Sequence, residues 1–292
     1  MQEEMRTFVT VVEAGTIASA AKKLLRTPSA ISKQLKRLED ELRVTLLHRS
    51  TRQLRLTDDG RRFHAHALRL VSGFDDAKAE LLHRHTTLSG SLRISAPLSF
   101  GQEMVATWVA QFSRHAPEVH VDLNLSDRWV DLTTEPFDVA IRIAPRLPSS
   151  GHTAQKLGTM RWHFVASPSY LSQRGTPSVP RDLSDHACLE LAHALDRGKW
   201  RVAGQRPVAV RGPLVSNGIV ALHRAALAGA GIAQLPAYLV SEDVRARRLV
   251  RVLPRHEGTP RQVFALFQDG QRAPHRVRAF VDFLRTHAPR DF

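Results

Sequence analysis

The sequence predicts a mainly α-helical, winged helix-turn-helix head, one long linker helix, and then an α/β domain that fills the rest of the chain. Three observations carry this. The first 42 residues divide into three short helical stretches separated by cap and turn residues. Residues 57–88 keep a single apolar seam. Beyond the boundary-like LSGS at 88–91, short apolar strands alternate with amphipathic helices, the pattern of an α/β fold. A chain of 292 residues has room for two domains with ample cores.

Met5, Phe8, Val9 and Val12 mark the first helix, and Gly15 stops it at a position that favours positive φ. Thr16 caps a second helix, whose apolar side is Ile17, Ala20, Ala21 and Leu24. Thr27 caps the third, and Pro28 occupies its first position, where a missing N–H costs nothing. The stripe Ile31, Leu35, Leu38 and Leu42 is one helical face; Ser29, Ser32, Lys33, Lys36 and Arg37 stand beside it, and the acids Glu39, Asp40 and Glu41 come last. A helix favours acids at its start and bases at its end. This one reverses the order, which predicts an anion against its N-terminal half. The following LLHRSTRQLRLT reads as a hairpin wing, with Arg49 and Arg52 at its tip. The chain carries 42 Lys and Arg against 28 Asp and Glu, a net charge of +14, and the bases are densest around this helix and wing. Such a balance favours nucleic acid, a membrane surface or acidic ligands. A basic helix N-terminus beside a basic hairpin tip addresses adjacent grooves of one duplex; a helical bundle with a solvated basic face is the competing view.

The run FVTVVEAGTIASAAKKLLRTPSAISKQLKRLEDELRVTLLHRSTRQLRLTDDG resembles the winged helix-turn-helix of LysR-type transcriptional regulators, feature by feature and without a gap. Two positions depart from the family. Leu25 stands where a glycine usually makes the turn, and Pro28–Ser29 replaces a common Gln–Pro pair. The resemblance implies that Ser32 and Lys33 face the major groove, with Pro28 and Ser29 at the base edges and Lys36 and Arg37 nearer phosphates. It places Arg52 and Arg49 in or beside the minor groove, and Thr27, Gln34 and Thr51 complete the DNA-facing set.

Thr57 caps the long helix, and Asp58 and Asp59 complement its positive end. Phe63, Ala67, Leu70, Phe74, Ala77, Leu81 and Leu88 form a heptad seam fit for a homodimer. Packing against its own domain is the alternative. By resemblance, such helices pair subunits, and pairs assemble into tetramers.

SAPLSFG, LSDRWVDL, FDVAIRI, ASPSYL, SNG and AGAGIAQLP resemble the effector domain of the same family, closest to its CrgA-like branch. That likeness implies a two-lobed, periplasmic-binding-protein-like domain with a small molecule in its cleft. The expected layout is a head at 1–59, a linker at 58–88 and an effector domain at 91–292, with lobe one at 91–160 plus 266–292 and lobe two at 161–265. A short helix is expected at 127–132 and a last helix from Phe280 to Arg285. Ligands of α/β folds sit beyond the carboxyl ends of strands. The candidate liners are therefore Pro97, Leu98, Ser99 and Phe100, then Arg142 and Ile143, with Ser216, Asn217 and Gly218 opposite. The segment Ser99–Gly101 leads into a helix whose free N–H groups favour an anion. Arg142 either pairs with a ligand carboxylate or braces Asp127 or Asp138.

Little points to a reaction centre. Gly229-x-Gly231 lacks a third glycine and follows no first strand, so it is no dinucleotide fingerprint. His64-x-His66 and His83-x-His85 set their side chains too far around a helix to share a metal. The lone Cys188, in an apolar setting, fits a reducing cytosol. No basic-then-apolar leader and no run of 18 apolar residues is present, so a cytoplasmic, non-membrane protein without cofactor is expected. The partners implied are double-stranded operator DNA, a carboxylate or aromatic effector, other copies of the chain and, for an activator, RNA polymerase. The rival function is a constitutive repressor or architectural DNA binder with no effector.

Overall fold

The computed structural model describes residues 1–49, 54–82, 88–147, 151–192, 198–268 and 273–292, with the side chains of 49 and 76–82 left aside. Thr51 and Arg52 of the wing tip, and residues 83–87 of the expected linker, lie outside the described residues.

The head packs α1 (Gln2–Ala14), α2 (Ile17–Lys23) and α3 (Pro28–Leu42) around one apolar cluster. Gly15 ends α1 at φ 72°, returning its N–H to the Val11 carbonyl. The Thr16 hydroxyl accepts the Ser19 N–H at 3.1 Å, and the Thr27 hydroxyl accepts the Ala30 N–H at 3.3 Å. Leu25 makes the turn between α2 and α3 itself, at φ 53° and 93% exposed. Ile31, Leu35 and Leu38 are buried beside Phe8, Val11 and Ala20, so the apolar stripe of α3 locks inward. The wing is β1 (Leu47–Arg49) antiparallel to β2 (Leu54–Leu56). It is tied to α3 by the Glu39 carboxylate, which accepts the N–H groups of Leu46 and Leu47 at 2.8 and 3.1 Å.

Thr57 caps α4 (Asp58–Leu82), accepting the Gly60 N–H at 2.8 Å and donating to the Thr45 carbonyl at 2.7 Å. At Gly60 a β-carbon would meet the Leu46 carbonyl oxygen at 2.0 Å, so only glycine lets the helix approach the wing. The expected seam divides. Ala67 is buried in the head core and Phe63 packs its ring 5.6 Å from Phe8, whereas Leu70 and Phe74 stand 59% and 50% exposed. Leu88 packs on the core of the following domain, so three of the five seam positions with described side chains serve their own chain. The side chains of Ala77 and Leu81 are outside the described residues.

The remainder is built on one mixed sheet in the order β10-β7-β11-β6-β13-β5-β3-β4, with β12 also against β6. In the first lobe β3 (Ser89–Ala96) lies between β4 (Glu118–Leu125) and β5 (Val139–Ala144), parallel to both. A helix connects β3 to β4 through α5 (Leu98–Phe100), a π-helical turn at Gly101–Val105 and α6 (Ala106–His115). The chain crosses to the second lobe along β6 (Thr153–Ala166) and returns along β13 (Gly258–Phe267), antiparallel to it. Alternating strands and helices predict parallel pairing, and these two crossing strands are where the sheet departs from it. The second lobe holds α7 (Pro168–Arg174), β7 (Cys188–Leu191), β8 (Lys199–Trp200), β9 (Val208–Ala209), β10 (Val215–Ser216), α8 (Ile219–Leu227), β11 (Ile232–Pro236), α9 (Ala237–Arg245) and β12 (Val250–Val252). The last helix, α10 (His275–His287), is longer than expected and returns to the first lobe, where Phe280 and Phe283 pack edge-on against Phe112.

Residues 127–132 are not helical. Asp131 accepts the Thr133 N–H at 2.8 Å and Glu135 accepts the Asp131 N–H at 2.9 Å, so side chains satisfy the backbone of a turn instead.

Candidate DNA-binding face and ligand cleft

Burial of Ile31, Leu35 and Leu38 leaves one outer face of α3. Pro28, Ser29, Lys33, Lys36 and Arg37 are exposed on it, and Ser32 is half-buried. Thr27 lies at its start, with its hydroxyl bonded to the Ala30 N–H and 3.0 Å from the Ser29 hydroxyl. Gln34 departs from the expected set. It is buried, and its side-chain oxygen accepts the Thr7 hydroxyl at 2.8 Å, so it holds α3 to α1. Arg49 lies on β1 with its side chain outside the described residues, as Thr51 and Arg52 are altogether.

Between the lobes lies a cleft of about 330 Å³. Of the residues expected there, Pro97, Leu98, Ser99, Phe100, Arg142, Ile143, Asn217 and Gly218 line it. Ser216 does not; its hydroxyl turns back to accept the Gly218 N–H at 3.1 Å. Phe100 is fully buried, and its ring meets Trp108 and Phe292 at 5.7 and 5.3 Å, so it is core as much as wall. Tyr238, from α9, closes the cleft opposite α5. Its hydroxyl lies 3.0 Å from that of Ser99 and its ring 5.3 Å from Phe100, and burial pushes its hydroxyl up to about 12.

At the helix N-terminus expected to favour an anion, one N–H is already taken by a carboxylate of the chain. The helix begins at Leu98, and the Asp127 carboxylate accepts the Leu98 N–H at 3.1 Å. Arg142 takes neither role foreseen as a brace, because Asp127 serves Leu98 and Asp138 accepts the Arg93 N–H at 2.8 Å. It is 4% exposed and donates to the Ile141 carbonyl, the Ser95 hydroxyl and the Arg128 carbonyl at 2.6, 2.8 and 3.1 Å. Its Nε finds no partner, and burial together with the Arg128 charge lowers its guanidinium to about 10. It therefore stays a cation at neutral pH, without a carboxylate partner among the described residues.

Ten further residues line the cleft that the sequence did not point to, among them Trp129, Met160, Trp162 and Arg261. Trp162 and Arg261 come from the two crossing strands. A register shift in β13 between Gly258 and Arg261 sets the Arg261 guanidinium 5.1 Å over the Trp162 ring. No local sequence pattern marks that pairing.

An exposed basic helix face on one domain and a cleft between two lobes on the other define a class: a DNA-binding protein that carries its own small-molecule domain. Comparison with known proteins agrees. Residues 2–61 match the bacterial regulatory helix-turn-helix of the LysR family, and residues 85–289 match the LysR substrate binding domain. The chain is similar to the HTH-type transcriptional regulator PtxR of Pseudomonas aeruginosa, 36% identical over 97% of this chain and 92% of that protein. The structure of CrgA, a LysR-type transcriptional regulator from Neisseria meningitidis, superposes with a TM-score of 0.63 at 31% identity, covering 98% of both chains. The full-length structure of the Vibrio cholerae virulence activator AphB gives a TM-score of 0.63 at 28% identity, covering 99% of this chain and all of that one. The chain belongs to the LysR family of transcriptional regulators, whose members bind DNA and small-molecule effectors and form oligomers. Among the described residues no helix is long and apolar enough to cross a membrane.

Proposed function

We propose that this chain reads an operator with the outer face of α3 and the wing, and that a small molecule between the lobes alters that reading. Residues 1–59 recognise DNA, 58–88 pair two subunits and 91–292 respond to the ligand. The observation that carries this is the division of α3: its apolar stripe is locked inward while Ser29, Lys33, Lys36 and Arg37 all stand outward. Ser32 and Lys33 serve base edges, and Lys36 and Arg37 serve phosphates, with Arg49, Thr51 and Arg52 completing the contact from the wing. Phosphate contacts position a protein and base contacts specify its site.

Leu70 and Phe74 supply an apolar strip for a second copy, and two such dimers form a tetramer. The protein acts in the cytoplasm, as a regulator rather than an enzyme, and contacts RNA polymerase where it activates. Unpartnered polar atoms in the cleft favour a ligand-responsive regulator over an effector-independent one. A carboxylate or aromatic effector fits a cleft with two tryptophans and two arginines. The test is titration of Lys33→Ala and Arg52→Ala against a panel of related operators. Lys33→Ala is expected to change the order of preference, and Arg52→Ala to weaken every site alike; identical losses on every site would contradict this division.

A further inference from the structure

The cleft has a donor surplus that nothing in the chain consumes. Arg142 Nε and Trp162 Nε1 are buried nitrogens without a hydrogen-bond partner, on side chains only 4% and 8% exposed. Buried donors are normally satisfied, and leaving one unmade costs about 1–3 kcal/mol. Arg261 is stacked on Trp162 and, among the described residues, has no hydrogen-bond or ion-pair partner, so its guanidinium donors are uncommitted. The charged groups lining the cleft are Arg142, Arg261 and Asp127, two cations and one anion, which leave one positive charge. Asp127 is held at the Leu98 N–H and pairs with neither arginine. Around these groups the walls are flat and apolar: Trp129, Trp162, Phe100, Met160 and Tyr238. The cavity of about 330 Å³ sits near the small end of the ~300–1,000 Å³ range of small-molecule sites, enough for one or two fused rings.

We infer that the effector is a small aromatic monocarboxylate whose carboxylate is held by Arg261, with Arg142 and Trp162 donating from the cleft floor. This rests on the ligand-responsive function proposed above and adds the chemical class and the residue that selects it. A planar guanidinium takes a carboxylate through two parallel bonds, and Arg261 has that fork free. Arg142, which carries the more obvious sequence signal, already spends three donor contacts on Ile141, Ser95 and Arg128. It supplies a fixed charge and two remaining N–H groups, one of them on the unpartnered Nε. One carboxylate brings the lining to neutrality; a dianion overshoots it.

The experiment is calorimetric titration of the full-length protein with benzoate and 1-naphthoate, each paired with its uncharged amide, benzamide and 1-naphthamide. At least one acid is expected to bind more than tenfold tighter than its amide. Arg261→Gln is expected to erase that preference, and Arg261→Lys, which keeps charge and loses the fork, to retain part of it. Unchanged thermal unfolding of the Arg261 variants shows that they fold. Equal affinity for acid and amide overturns the carboxylate class while leaving a ligand-responsive cleft intact. A preference for the acid that survives Arg261→Gln overturns the role of Arg261. Heatless titrations with all four compounds, together with unchanged tryptophan fluorescence, overturn the aromatic class. A shift of the operator footprint by ligands of some other class then shows that the regulatory reading survives without it.

Discussion

At the scale of residues, two positions carry tension that substitution exposes. Leu25 adopts φ 53°, where an L-residue costs roughly 1–2 kcal/mol, and its side chain is 93% exposed and recovers no burial. Leu25→Gly is expected to stabilise the full chain by about 1 kcal/mol in chemical denaturation, after the entropy that glycine loses on folding. A destabilised variant would show that the leucine makes a contact of its own. His64 lies where the head meets the first lobe. Burial, and then the charge of Arg93, lower its imidazole below the usual histidine range, and its Nε2 has no partner. A group whose folded pKa is depressed takes up protons more readily when unfolded. Its stabilising effect is therefore complete above the unfolded value of about 6.5, and is lost as pH falls below it and on through the folded value. Melting temperatures of wild type and His64→Gln compared between pH 8 and 5 check this: the wild type is expected to lose more on acidification, and parallel curves would contradict it. Residue-scale legibility was uneven for a physical reason. Thr16, Thr27 and Thr57 could be read as caps because a cap depends on residues three places away. Gln34 could not be read as buried, because its partner Thr7 belongs to another helix.

At the scale of elements, α4 divides its labour along its length. Phe63 and Ala67 complete the head core, as Arg6 on α1 clasps Asp75 at 2.5 and 2.8 Å, while Leu70 and Phe74 face out. A heptad seam shows which residues share a face and not which neighbour covers it, so the sequence showed the strip without its division. The double variant Leu70→Asp, Phe74→Asp is expected to sediment as a smaller species with its secondary structure intact. An unchanged sedimentation coefficient would place the subunit interface elsewhere. The crossing strands show the other limit of legibility. Pro97–Phe100 and Arg142–Ile143 could be placed at the cleft because the ends of parallel strands mark such sites. Arg261 and Trp162 meet only through the antiparallel register of β6 and β13, nearly a hundred residues apart in sequence, shifted by an irregularity that no local pattern announces. The segment 127–132 turns where its pattern predicts a helix, because the Asp131 N–H goes to the Glu135 carboxylate and the Thr133 N–H beyond it to that of Asp131.

At the scale of the whole molecule, head and cleft are joined through one strand. Arg93 on β3 pairs with Glu13 of the head at 2.6 Å, its N–H is held by Asp138, and two residues further on Ser95 accepts from Arg142 in the cleft. A ligand alters DNA binding only as far as it binds one arrangement of the molecule better than another. The Arg93–Glu13 pair is a physical link through which such a preference can reach α3. The broad architecture was legible because each of its parts follows a local rule of periodicity, capping and charge order; the joint was not, because Glu13 and Arg93 lie in different domains. The central claim is that α3 and the wing present cations to duplex DNA. It is tested most directly by the affinity of the full-length protein for the intergenic duplex beside its own gene, against a scrambled duplex, over a salt series. Preference for the intergenic duplex is expected, with affinity falling by roughly 10³–10⁵ between about 50 and 200 mM salt, as for ~6–10 neutralised phosphates. No binding at the lowest salt, or equal binding to the scrambled duplex throughout, would contradict it.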